Sequence, residues 1–201
     1  MAKTFVPGSR GITGFLEEEE RELLRKLFSD VITMLEPEAL DSEDPLVALV
    51  GFDPHIAPPE DSALRRLLPD GVKDDDEAAL EFRRFTERSL RESKIGALRA
   101  ASLALESNEI QLDAAQARNF AMALNDVRLV VSDRLGIRTE SDAEAVHAMQ
   151  EWSDADDLET YLAVVYNFVS WLQESLVQAL AYSLDDEPSP AGEKGEREDR
   201  A

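Results

Sequence analysis

The run Ala121-Met122-Ala123-Leu124-Asn125-Asp126-Val127-Arg128-Leu129-Val130-Val131 constrains this chain more than any other stretch. Wound as a helix it is apolar nearly all the way round, and such a helix belongs in the middle of a bundle. Yet it carries an amide, a carboxylate and a guanidinium at Asn125, Asp126 and Arg128. Polar groups taken into a core destabilise it unless other elements supply partners. A bundle can supply them from the basic face of a long upstream helix, where Arg83, Arg84, Arg88 and Lys94 would make charge-assisted hydrogen bonds. Asn125, Asp126, Arg128, Arg83, Arg84, Arg88 and Lys94 are therefore expected to form a structural polar cluster. The competing reading is that the residues around Asp126 line a small-ligand pocket.

The rest of the chain reads as helices around this centre. Residues 1 to 15 hold Pro7, Gly8, Gly11 and Gly14 among Phe5, Val6, Ile12 and Phe15, the pattern of two short extended pieces and a turn. Leu23, Leu24, Leu27, Phe28, Val31, Ile32 and Leu35 recur at three and four residues, which predicts a helix from Glu17 to about Leu35, stopped at Glu36-Pro37. Residues 37 to 75 are rich in proline and aspartate, with short helices expected at 46–50 and 63–68 on a mobile loop. The acidic run 74–77 opens a long helix to about Leu105, whose small residues Gly96, Ala97, Ala100, Ala101, Ser102 and Ala104 should admit a close neighbour. Residues 108–112 alternate enough for a short strand or linker. Asp113 caps the central helix, Gly136 ends it, a shorter helix follows from Ser141 or Asp142 through Trp152, and the last runs from about Asp156 to Leu184. Its apolar face, with Tyr161, Val165, Phe168, Leu172, Leu176 and Ala179, is widened by Val164 and Trp171. The expectation is an all-α bundle of about five main helices in a single domain over 1–184, with a short N-terminal hairpin at most and a disordered acidic tail over 185–201.

Charge and motifs exclude more than they identify. Forty-three acidic residues against 21 basic give a net charge of -22, which repels nucleic-acid phosphate and anionic lipid. No apolar stretch approaches the roughly 18 residues of a membrane span and no secretory leader is evident, so a cytoplasmic protein without membrane contact is expected. Zero cysteines remove disulfides, thiolate nucleophiles and thiolate metal sites. No phosphate-binding glycine loop, HExxH or GxSxG motif occurs, and no catalytic residue, cofactor or metal is assigned. Glu144 and His147 have the Glu-x-x-His spacing of di-iron bundles, but one pair is half of such a site, and His55 lies in an irregular region. Arg65-Arg66, Arg83-Arg84 and Arg88-Arg91-Lys94 invite a nucleic-acid hypothesis, yet Glu81, Glu87 and Glu92 interrupt them, which argues against direct DNA binding.

The run from Leu124 to Ile137, preceded by Leu112-Asp113-Ala114 and followed by Tyr161 and Trp171-Leu172, resembles the actinobacterial domain-of-unknown-function two-thousand-seventeen family. Residues 63–70 and Glu81-Phe82-Arg83-Arg84-Phe85-Thr86-Glu87, with Leu90 and Lys94, agree with it. The resemblance implies a non-enzymatic regulator of transcription or oxidative stress that works with the transcription machinery, through a component such as a sigma factor. A cysteine-based switch proposed for relatives has no counterpart here. The expected function is regulation by protein contact. The alternatives are a small-molecule-binding or metal-binding bundle and a direct DNA-binding regulator, and a homodimer is left open.

Overall fold

A computed structural model describes residues 2–8, 11–36, 56–147 and 157–185. Expected features at 46–50, His55, Trp152 and the tail from 186 lie outside the described residues. Within them the chain runs β1 (Lys3–Gly8), β2 (Gly11–Phe15), α1 (Glu18–Leu35), α2 (Ser62–Leu67), α3 (Asp76–Ala104), β3 (Glu109–Leu112), α4 (Ala114–Arg134), α5 (Glu140–His147) and α6 (Leu158–Asp185).

The all-α expectation is corrected by a three-stranded antiparallel sheet in the order β1-β2-β3. The hairpin pairs Val6 with Thr13 and Gly8 with Gly11, and β2 then pairs Ile12 with Leu112 and Phe15 with Glu109. A hairpin alone is marginal in water, and β3 supplies the third strand that helps bury one face. Phe5, Ile12, Ile110 and Leu112 are buried, the alternation expected of a sheet wet on one side only. Gly11 carries a φ of +114°, and a Cβ there would lie 2.2 Å from the Leu112 carbonyl oxygen. Only glycine suits that combination of backbone and close approach.

Helix ends follow from their local chemistry. The Glu20 carboxylate accepts from the Glu17 N–H and the Ala2 N–H, each at 2.8 Å, capping α1 and tying it to the chain before β1. Asp113 accepts from the Ala115 and Gln116 amides at 2.8 Å while Gln116 accepts from the Asp113 N–H at 2.9 Å, so α4 starts on a reciprocal capping box. Gly136, at φ +69°, ends it, with the Ile137 N–H donating back to the Ser132 carbonyl. Buried Arg21 donates to the carbonyls of Leu105 and Glu106, which closes the end of α3.

Helix α4 is the hub, touching α1, α2, α3, α6, β2 and β3. Phe120 takes the rings of Phe5 and Phe28 edge-on at 5.8 and 6.0 Å, joining sheet, α1 and α4 in one core. Helix α6 runs back along α4, Gln173 lying opposite Asn125, and its Ser175 hydroxyl accepts from the Phe5 N–H. Ala97 and Ala101 are buried as expected, but Gly96 faces open space. On α6, Val165, Leu172, Leu176 and Ala179 are buried, whereas Trp171 turns outward.

Candidate functional site

The polar residues of α4 divide into a buried pair, a buried network and an open cavity. Asp126 is 2% exposed and meets Lys94 of α3 at 2.6 Å. Burial raises the Asp126 carboxyl above the ordinary carboxylate range against the hydrogen bond and charge of Lys94. Its second oxygen, Oδ2, has no hydrogen-bond partner among the described residues. Of the four cations expected to answer Asp126, only Lys94 does so. Arg83 instead pairs with Glu87, donates to the Leu68 carbonyl at 2.9 Å and bridges Asp70 at 2.7 Å. Arg88 pairs with Glu92 on the surface, and Arg84 is half-buried with its Nε unpartnered. Arg84 and Arg88 sit on other sides of α3, while Arg83, eleven residues before Lys94, shares its side but lies about 16 Å away along the axis.

A second buried carboxylate, Asp133, was not among the expected residues. Its oxygens meet the Ser62 hydroxyl, Arg66 at 3.1 Å and Arg138 at 3.0 Å. Burial pulls this carboxyl up, but the hydrogen bonds from Ser62 and Arg138 and the charges of Arg138 and Arg66 outweigh it, leaving it below its ordinary value. Arg66 also donates to the Ser132 hydroxyl and the Ile137 carbonyl, so α2 is riveted to the end of α4. Buried Glu87 similarly joins Arg83 to Arg91, which donates to the Leu35 carbonyl. Most of the basic groups that invited a nucleic-acid reading are thus engaged by internal acids and carbonyls.

Arg128 belongs to the cavity. It lines an open space of about 490 Å³ together with His147, Tyr166, Asn167, Ser170, Trp171, Gln173, Glu174 and Val177. That volume lies within the range of small-molecule sites. Asn125 stands behind it, its Oδ1 accepting long hydrogen bonds of 3.4 Å from Arg128 and from Gln173. Asp126 is not in the lining, so the expectation of a pocket around Asp126 is displaced to its neighbour Arg128. His147 packs its ring 5.7 Å from that of Tyr166, and Asn167 donates to the Val146 carbonyl at 3.0 Å, which fixes α5 against α6. Among the described residues no three His, Asp or Glu side chains converge as metal ligands, so Glu144 and His147 gain no third ligand there.

The α6 contribution was missed because its apolar stripe dominates the pattern. The signal was nevertheless present: Asn167, Ser170, Gln173 and Glu174 recur at three and four residues within a helix otherwise rich in apolar side chains. Among the described residues no helix is long and apolar enough to cross a membrane.

No curated protein and no solved structure matches the chain. A family model, Domain of unknown function (DUF2017), matches residues 2–180, which takes in the sheet, the hub helix and almost all of α6. With a match of that extent, the chain belongs to the DUF2017 family.

Proposed function

We propose that this chain is a non-enzymatic cytoplasmic regulatory protein that works through protein–protein contacts. The observation that supports the reading is the outer side of α6, where Trp171, Val177 and Tyr182 are 38%, 49% and 66% exposed. Positions 171, 174, 178 and 182 step along the helix by three and four residues and share one side, with Val177 beside them. Trp171 stacks on Phe168 at 6.4 Å, so the indole is held by its neighbour while one edge stays open. Tryptophan and tyrosine are the residues that most often anchor a contact surface. The net charge of -22 favours a partner with a basic face, since opposite potentials raise encounter rates. A component of the transcription machinery such as a sigma factor, in an actinobacterial response to oxidative stress, is the partner and setting that accompany the family resemblance. With no cysteine in the chain, the input is not a change at its own thiols.

The test is capture of partners from the native host with the wild-type chain and with Trp171→Asp and Val177→Asp, followed by reconstitution from pure components. A basic partner that binds the wild type directly, and binds either variant at least tenfold more weakly at an unchanged melting temperature, supports the reading. Equal binding by both folded variants overturns it.

A further inference from the structure

We propose that the cavity between α4 and α6 binds a small zwitterion: a free amino acid, or a compound of like chemistry with one carboxylate and one ammonium group. Arg128 and Glu174 both line the cavity, yet they do not pair with one another. Among the described residues Arg128 makes a 3.4 Å contact to Asn125, and Glu174 a 3.3 Å contact to Gln178 on the same helix. Opposite charges on the walls of one cavity, held apart, each attract a counter-charge. A ligand with a single charge answers one and is repelled by the other, whereas a zwitterion answers both.

The uncharged groups of the same wall point the same way. Among the described residues Ser170 Oγ and Gln173 Oε1 have no hydrogen-bond partner, and both lie just behind the cavity surface, so a ligand meets them through a rotation of either side chain. An unpaired buried acceptor is costly, and a carbonyl oxygen such as Gln173 Oε1 is satisfied only by a donor, which an ammonium group supplies. The Ser170 hydroxyl can donate to a carboxylate, reinforcing Arg128. Trp171 and Tyr166 add aromatic surface for the ligand's carbon skeleton, in a volume ample for any common amino acid. The site shares Trp171, Glu174 and Val177 with the proposed contact side, but its test uses the pure chain without a partner, so the two readings fail separately.

The experiment uses the full chain and a panel of the twenty free L-α-amino acids with β-alanine and γ-aminobutyrate, measured by thermal shift and calorimetric titration. Acetate and methylamine serve as single-charge controls. Trp171 supplies a local signal in a Trp152→Phe background, since these are the two tryptophans of the chain. At least one panel member is expected to raise the melting temperature and change Trp171 emission saturably, with Arg128→Met and Glu174→Gln each weakening it tenfold or more. Glu174 is exposed, so Glu174→Gln decides the matter if Arg128→Met fails to fold. The proposal is overturned if no panel member gives either signal, if affinity survives in a folded variant, or if acetate alone reproduces the effect.

Discussion

Replacing Lys94 with methionine keeps the aliphatic stem and removes the ammonium that meets Asp126 at 2.6 Å. Asp126 stays buried, with one oxygen already unpartnered, so its carboxylate becomes a lone charge in the core. Removing one partner of such a pair costs about 3–5 kcal/mol. The exposed pair Arg88–Glu92 is worth about 1 kcal/mol or less. In a chain of this length each kcal/mol moves the melting temperature by about 2–4 °C, so Lys94→Met should melt roughly 6–20 °C below wild type at pH 7. Arg88→Met should stay within about 4 °C by the same scale. The deficit also has a sign in pH. Burial holds the folded Asp126 carboxyl above its unfolded value, so its stabilising contribution is complete below about pH 3.9 and is lost as pH rises through the folded value. Without Lys94 that folded value climbs further, and the deficit should be largest near neutrality and shrink as acid protonates the carboxyl. Adding Asp126→Leu removes the second charge and should restore most of the lost stability. Calorimetric melts from pH 4 to pH 8 check this. A Lys94→Met protein melting within 2 °C of wild type at pH 7, or equally impaired at pH 4.5, would refute the reasoning.

Asp133 should behave in the opposite sense, because its folded carboxyl lies below the unfolded value. Its stabilisation is present above about pH 3.9 and lost as pH falls through the folded value, so Asp133→Asn should melt several degrees low at pH 7 and converge with wild type in acid. Two glycines give a matched contrast in urea. Gly11→Ala should lose more than about 1 kcal/mol through its positive φ and the Leu112 carbonyl, while Gly96→Ala, in an open helical position, should gain about 0.5–1 kcal/mol.

Much of the scaffold was legible in one dimension because its signals are local. Apolar residues at three and four positions located α1 and α6, the acidic run at 74–77 opened α3, an all-round apolar run marked α4, and the caps at Asp113 and Gly136 set the ends of that hub helix. The hairpin showed in its glycines, and the 108–112 segment in its alternation. Its union with the hairpin did not show, because strand pairing between residues a hundred positions apart leaves no mark in either segment. The all-α expectation failed at that point. Tryptophan at 171 was expected to widen the apolar face of α6, but its indole stacks on Phe168 at the edge of that face and is exposed.

What the sequence determined by itself is that α4 must be enclosed and that its carboxylate must meet a cation, since neither an apolar helix nor a buried charge is stable alone. Which cation answers was decided only by tertiary structure. Lys94 was one of four candidates on α3, and for Asp133 the answer came from Arg66 and Arg138, outside that helix. Burial demands a partner but does not name it: the partner is set by helix phase and crossing, which depend on the packing of the whole core.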